Sequence, residues 1–279
     1  MSRPIRLAIS TCPNDTFAFH GLMTRAVDWR GLDFEIELLD IERLNERVVA
    51  DAFDVSKASF AAAVTVADRL VVLPSGAALG FGVGPLLLAA APGSVPAGPG
   101  QLTLLPGRHT TAALLFALFH PRTTRVEQVV FSEIMPRLRA GTADFGVCIH
   151  EGRFTWREQG LALVEDLGGR WEEETRAPLP LGGIVASRRL PPATIAAVQG
   201  VIRDSLAFAL ADPPAALPTM RAHAQEFADR VLFQHVELYV NDWTLDLGGE
   251  GTRALAELAR RAAAVGAAGD GGRLEVFSG

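Results

Sequence analysis

Hydrophobic and polar positions change their period along the chain. Ile5-Arg6-Leu7-Ala8-Ile9 is a short apolar run, and Phe34-Glu35-Ile36-Glu37-Leu38 alternates apolar with acidic residues, as a half-exposed strand does. Between and after them the period lengthens. A helix is expected from about Thr16 to Thr24. Another is expected over Glu42–Ala50, with Leu44, Val48 and Val49 at helical spacing. Phe53-Asp54-Val55-Ser56 predicts a short strand running into Lys57-Ala58-Ser59, followed by an alanine-rich helix over 60–67. Leu70–Leu73 and Pro85–Ala90 read as buried strands. Such a βαβα order predicts a mostly parallel sheet covered by helices.

Residues 91–100, APGSVPAGPG, have linker composition. A second alternation follows: strands at 101–105, 126–130 and 144–149 with helices at 110–119 and 131–140, then strands at 161–164 and 183–187. From Pro192 the pattern is helical, with Ile195, Val198, Ile202, Leu206 and Ala209 on one stripe. Pro213-Pro214 breaks that helix, and further helices are predicted near 214–224, 228–240 and 250–265. Helices outnumber strands in the tail, so they are expected to pack back on the first sheet. The organisation predicted is α/β and two-lobed: a discontinuous large lobe of 1–90 plus 190–279, an inserted small lobe of 100–185, and hinge crossings near 91–100 and 186–191. This is the plan of a solute-binding fold with its ligand in the interdomain cleft.

Charge narrows the partners. The 279 residues carry a net charge of −6 and show no Lys/Arg run, which points away from nucleic acid. Residues 70–107 hold no charged side chain, but that window contains eight glycines and six prolines. A lipid-exposed helix cannot keep its backbone bonded through so many breaks, so no membrane span is expected there. The first twenty residues lack an apolar signal segment. With only Cys12 and Cys148, neither a disulfide framework nor a cysteine-rich metal site is indicated. The expectation is a cytoplasmic protein. The alanine-rich helices at 60–67 and 254–265 either form a homodimer face or pack inside.

Ligands of parallel α/β lobes gather at the carboxyl ends of strands, where helix amides also point. The polar residues after the predicted strands are Thr11, Asn14, Asp15 and Thr16; Ser56, Lys57 and Ser59; Arg108, His109, Thr110 and Thr111; and His150, Glu151 and Arg153. Each also has a plain structural reading. One of Asn14, Asp15 and Thr16 is expected to cap the first helix, and one of Thr110 and Thr111 the helix they open. Of the six histidines, His120 reads as a helix C-cap, and His223 and His235 as surface or packing residues of the tail. His150 interrupts an apolar strand end, where an imidazole can bind ligand or move a proton. Cys12 and Cys148 read as inert thiols. Gly80-Phe81-Gly82-Val83-Gly84-Pro85 lacks the Lys-Ser/Thr of a phosphate loop and reads as a lobe crossover or a close approach to ligand. Trp171-Glu172-Glu173-Glu174 reads as an exposed acidic helix turn. No HExxH or similar metal spacing appears.

Together, Ser10-Thr11-Cys12-Pro13-Asn14-Asp15-Thr16-Phe17, Lys57-Ala58-Ser59, Gly82-Val83-Gly84-Pro85-Leu86, Pro106-Gly107-Arg108-His109-Thr110-Thr111-Ala112, Ile149-His150-Glu151-Gly152-Arg153-Phe154-Thr155 and Tyr239-Val240-Asn241 resemble the 1,4-dihydroxy-6-naphthoate synthase family. The resemblance implies a two-lobed fold with an interdomain cleft, shared with type II periplasmic binding proteins, and a cofactor-independent lyase of the futalosine route to menaquinone. It implies a small aromatic carboxylate substrate, cyclic dehypoxanthinyl futalosine, which is cleaved to 1,4-dihydroxy-6-naphthoate. By the same likeness His150 is the base. Lys57, Ala58 and Ser59 on one lobe, with Thr110 and Thr111 on the other, hold substrate. The STCPNDT stretch reads as the first strand's contribution to the interdomain site, with Asn14 or Asp15 expected to orient substrate or His150. Two positions depart from the family pattern: Thr11 stands where Ser is usual, and Ala58 where Leu is frequent. The competing expectations are a transporter's solute-binding protein, which the missing signal segment disfavours, and a chorismate dehydratase of the same route.

Overall fold

The structure is a computed structural model that describes residues 3–150, 152–224, 228–269 and 272–279. Its strands in chain order are β1 (Ile5–Ser10), β2 (Phe34–Leu39), β3 (Val55–Ser59), β4 (Leu70–Val72), β5 (Ala78–Gly80), β6 (Leu86–Ala89), β7 (Leu102–Leu105), β8 (Arg125–Gln128), β9 (Phe145–Cys148), β10 (Ala162–Asp166) and β11 (Leu179–Ser187). They form two sheets. The first runs β2-β1-β3-β11-β4 with β5 also on β11, and the second runs β10-β6-β9-β7-β8. Leu7, Ala8 and Ile9 are fully buried, as a strand covered on both faces requires. At the edges, β2 keeps Glu35 exposed and β8 is exposed throughout, and charged edges discourage further pairing.

The sheets are mixed, not mostly parallel. β1–β2, β1–β3, β7–β8 and β7–β9 are parallel, while β6 and β11 pair antiparallel with every neighbour. These two strands follow the passages between lobes, and each enters its sheet against the direction of the βα units. The crossings are accordingly displaced from the expected 91–100 and 186–191. β6 already belongs to the second sheet, so the chain crosses at 81–85. β11 belongs to the first, so the return lies between β10 and residue 179. Segment 91–100 is instead a loop joining β6 to β7 within the second lobe. The crossing at Gly84 is tight: a Cβ there would stand 2.2 Å from the Cα of Gly168, so two backbones pass where only glycine fits.

The tail helices cover the first sheet. In Pro192–Ala211, Ile195, Val198, Val201, Ile202, Leu206 and Ala209 are buried in a core shared with Leu7, Ile9, Val71 and Ile184. That helix is long and apolar enough to cross a membrane by composition alone; here its stripe is a core face. The helices Phe60–Thr65 and Gly248–Ala264 turn their alanines inward, with Ala61, Ala62, Ala63, Ala254, Ala259 and Ala262 all buried. Their alanine faces are used within the chain. A further apolar cluster runs through both lobes, joining Ala58, Phe60 and Leu79 to Leu87, Leu105, Phe116, Phe145 and Trp171. Each fully buried leucine of this seam contributes roughly 1.5–3 kcal/mol. Trp171, expected on an exposed turn, is fully buried in the helix Leu167–Thr175, with its indole N–H donated to Pro178 O at 3.3 Å. Only the glutamates of that motif face out.

Candidate active site

The cleft between the lobes holds about 660 Å³ of empty space up to its open mouth. The ends of β1, β3 and β9 face it, as does the helix Thr111–Phe119 that follows β7. Asn14, Asp15, Lys57, Ser59, Thr110, Thr111 and His150 all line it. Ala58 does not. It alternates to the other face of β3, is fully buried, and packs into the apolar seam, as the two-residue period of a strand demands. Ser56 shares its face, lines a separate small pocket and donates to Lys57 O at 2.8 Å. β3 extends through Ser59, so Lys57 and Ser59 reach the cleft from within a strand and not from the turn after it.

The STCPNDT stretch is the floor. Its helix begins at Pro13, earlier than expected, and spans Pro13–Ala18 with Cys12 at the cap position. None of Asn14, Asp15 and Thr16 caps it: all three lie inside the helix, and Thr16 Oγ1 donates back to Cys12 O at 3.2 Å. Asp15 is the hub. It accepts from Ser10 Oγ at 2.5 Å, from Asn14 Nδ2 at 2.9 Å and from Lys57 Nζ at 2.6 Å. The lysine is 6% and the aspartate 3% exposed at the side chain, so this is an interior ion pair, whose attraction is not diluted by bulk water.

His150 stands two residues beyond β9 with φ +55°, a left-handed conformation that non-glycine residues adopt at a cost and that clusters at functional sites. Phe131 meets its ring edge-on at 4.8 Å. Cys12 Sγ lies 3.4 Å from its Nδ1 and 3.7 Å from its Nε2. A sulfur near both nitrogens sits beside the ring and not in line with either one. Cys148 is different: burial pushes its thiol up to about 12, which leaves it protonated and inert. Glu151 lies outside the described residues. Arg153 turns away from the cleft to Asp166 Oδ2 at 2.9 Å and Gly84 O at 2.5 Å, bracing the crossover.

The neighbouring strand end, that of β7, presents a helix N-terminus to the cleft. Thr110 caps the helix Thr111–Phe119, accepting from Ala113 N at 3.1 Å and donating to Gly107 O at 2.7 Å. The first-turn amides of Thr111 and Ala112 have no intrahelical acceptor by construction, and they sit at the positive end of the helix dipole. Thr111 Oγ1 crosses to the other lobe and donates to Leu181 O at 2.7 Å. A second cross-lobe tie joins His109 to Glu42, backbone N at 3.1 Å and Nδ1 at 3.0 Å to the carboxylate. Gly107, at φ +125°, leaves room for that carboxylate, which a Cβ would meet at 2.5 Å.

Three lining or supporting residues lay outside the sequence expectations. Asn45 donates to Ser59 Oγ at 3.0 Å and accepts from Ser59 N at 2.8 Å, which leaves the Ser59 hydroxyl proton to be donated into the cleft. His235, expected to pack or face solvent, lines the cleft from the helix Asp229–Tyr239 and is 2% exposed. Its Nε2 lies 3.0 Å from Asn14 Oδ1, and its ring stacks at 6.1 Å on that of His150. Burial, reinforced by His150 and Lys57, pushes the His235 pKa well below the ordinary 6.5. Tyr239, one turn on, completes this wall and donates to Val83 O at 3.3 Å. Among the described residues, no group of three His, Cys, Asp or Glu side chains is placed to hold a metal ion. His120 caps the helix as expected, with its ring on Glu165 at 2.5 Å.

Two α/β lobes, joined by crossing segments and sharing a cleft at their strand ends, make this a periplasmic-binding-protein-like fold. The alkanesulfonate-binding protein SsuA from Xanthomonas axonopodis pv. citri superposes with a TM-score of 0.69 at 13% identity, covering 96% of each chain. Protein AF1704 from Archaeoglobus fulgidus superposes with a TM-score of 0.88 at 30% identity, over 94% of this chain and 98% of that one. The sequence matches the menaquinone biosynthesis family over residues 5–264. It is 46% identical over 264 residues to a Thermus thermophilus protein named 1,4-dihydroxy-6-naphthoate synthase, covering 95% of this chain and 96% of that one. It is 39% identical over 267 residues to a Streptomyces coelicolor protein of the same name, covering 94% of each. The chain belongs to the menaquinone biosynthesis family.

Proposed function

We propose that the chain is a lyase of the cytoplasm that converts cyclic dehypoxanthinyl futalosine to 1,4-dihydroxy-6-naphthoate, with His150 as the base. The observation that carries this reading is the position of His150: a strained, cleft-facing imidazole at the end of β9, beside the paired strand β7 whose following helix also opens its N-terminus on the cleft, in a chain 46% identical to a protein named for that product. In this reading the substrate carboxylate lies against the amides of Thr111 and Ala112, with the Ser59 hydroxyl as a further donor. His150 removes a proton from a sugar hydroxyl or from the acidic carbon beside the ring ketone. Carbon–carbon cleavage follows, and aromatisation of the new ring drives it. Donors on the cleft walls stabilise the developing enolate. The scheme moves protons and breaks one carbon–carbon bond, so it calls on no metal and no organic cofactor. A positioned base supplies roughly 10²–10⁴-fold, and alignment between the walls supplies the remainder.

The test is turnover of cyclic dehypoxanthinyl futalosine by purified protein in EDTA, beside a folded His150→Ala variant. Product from the wild type that falls by at least about a hundredfold in the variant is the expected result. Equal product from both removes His150 from the central role. Binding without product turns the reading towards solute binding, and conversion of chorismate instead turns it towards the dehydratase.

A further inference from the structure

A run of buried hydrogen bonds leads from Lys57 to His235, and its direction is fixed. Lys57 Nζ donates to Asp15 Oδ1 at 2.6 Å. A carboxylate paired with an ammonium only accepts, so the Asn14 group 2.9 Å from Asp15 Oδ1 is the amide NH₂. The other end of Asn14 is then the carbonyl oxygen, 3.0 Å from His235 Nε2. An oxygen acceptor obliges Nε2 to carry the proton. In a neutral ring Nδ1 is then left with its lone pair. Ser10, Asn14, Asp15, Lys57 and His235 are all at most 9% exposed, so water cannot easily scramble the order. His235 Nδ1 has no partner among the described residues and is not sealed in the interior. The His235 ring lines the cleft.

The surroundings also keep the ring uncharged. The groups that face it are Asn14 and the Lys57-neutralised Asp15 from the helix Pro13–Ala18, Lys57 from β3, and His150 from the end of β9. Among the described residues the rings of Tyr239, at 4.5 Å, and Phe154, at 6.4 Å, also face it. No carboxylate bonds to the imidazole among the described residues. Lys57 and His150 both oppose a charge on it.

We propose that His235 is a second substrate-contacting histidine: a neutral ring locked as the Nε2–H tautomer, whose Nδ1 accepts a hydrogen bond from a substrate hydroxyl. The inference rests on the proposed function, whose substrate carries sugar hydroxyls. A lone pair of this kind suits an O–H donor and repels a carboxylate or ketone oxygen. The two histidines then divide the work. His150 changes its charge during turnover, and His235 binds without changing its own. Asn14, Asp15 and Lys57 act on substrate through His235 as positioning residues.

The test uses ¹⁵N-histidine-labelled protein and cyclic dehypoxanthinyl futalosine. Long-range ¹H–¹⁵N spectra, assigned against His235→Phe, are expected to show a protonated Nε2 and a bare Nδ1 on His235 that persist from pH 8 to 5.5. Adding substrate to the His150→Ala protein is expected to shift the His235 Nδ1 resonance. In turnover, His235→Phe is expected to raise KM about tenfold, the loss of one buried hydrogen bond, with the midpoints of the pH profile of kcat unmoved. His235→Asn, which restores a polar atom near the Nδ1 position, is expected to recover part of the affinity. A His235 ring that titrates in this range, shows the opposite tautomer, or leaves KM unchanged when replaced overturns the proposal while wild-type turnover keeps the function. Wild-type protein that neither binds nor converts this substrate overturns the function and, with it, the hydroxyl assignment.

Discussion

Asp15→Asn removes one charge of the interior pair while leaving the shape of the side chain. The ammonium of Lys57 is then buried at 6% side-chain exposure with no anion at 2.6 Å. Breaking one half of such a pair costs about 3–5 kcal/mol, because the partner's desolvation is no longer offset. The melting shift follows from the chain length. About 2.1 cal/mol/K of unfolding entropy per residue over 279 residues makes the loss worth roughly 5–9 °C in Tm. Calorimetry of the parent, Asp15→Asn, Lys57→Met and the double variant gives the measurement. Each single variant is expected to fall by that amount. The double variant, which removes both charges, is expected to recover to within about 3 °C of the parent. A single-variant loss below about 2 °C, or a double variant no better than the singles, would show that the pair is solvated and that the hub reading is mistaken.

Three further outcomes follow from other parts of the molecule. Gly84→Ala sets a Cβ 2.2 Å from backbone at Gly168, where neither chain can yield, so the urea midpoint is expected to drop by the equivalent of about 2–4 kcal/mol. His235 has its pKa lowered on folding, so the unfolded chain takes up a proton that the folded ring refuses. Its contribution is present above the ordinary 6.5 and is lost as pH falls below it, at up to about 1.4 kcal/mol per pH unit; denaturation at pH 7 and 5.5 should show a smaller acid loss in His235→Phe. Iodoacetamide is expected to label the half-exposed Cys12 in the native protein and to reach Cys148 only after unfolding, because Cys148 is buried and its thiol is held at about 12; peptide mapping checks both.

How much of this was legible depended on whether neighbours in sequence carried the pattern. The βα order and most strand ends could be read because period-two and period-3.6 patterning is local. Sheet partners are not local. β6 and β11 looked like further buried strands, and nothing in their composition shows that they run against the others or belong to the opposite lobe. The strand at Ala78–Gly80 is three residues long and falls in a glycine-rich stretch, too short to leave a periodic trace. Ala58 entered the candidate site through its neighbours Lys57 and Ser59, although alternation along a strand sends it to the core. Asn45 and His235 were missed despite a shared signature. Asn45 lies on the buried stripe Ile41, Leu44, Asn45 and Val48, and His235 on Val231, Leu232, His235, Val236 and Tyr239. A polar residue at a core position of an amphipathic helix needs a buried partner, and that mismatch is legible in the sequence itself.

The same pairing bears on how the His150 imidazole would act as the proposed base. Among the described residues, the ionisable side chains lining the cleft are Cys12, Asp15, Lys57, His150, His235 and Tyr239. Asp15 and Lys57 cancel one another at 2.6 Å, so neither adds net charge to the space beside the substrate. His235 is held neutral 6.1 Å from His150. Were His235 charged, its like charge 6.1 Å away would oppose a proton on His150. A base must hold its proton until the product forms, so a neutral neighbour is a requirement of the proposed chemistry. The STCPNDT stretch therefore serves the reaction at one remove. Its aspartate neutralises Lys57, its asparagine sets the tautomer of His235, and its cysteine lies beside His150. The lobe that contributes none of these groups supplies His150 itself and, from the neighbouring strand end, the helix amides of Thr111 and Ala112.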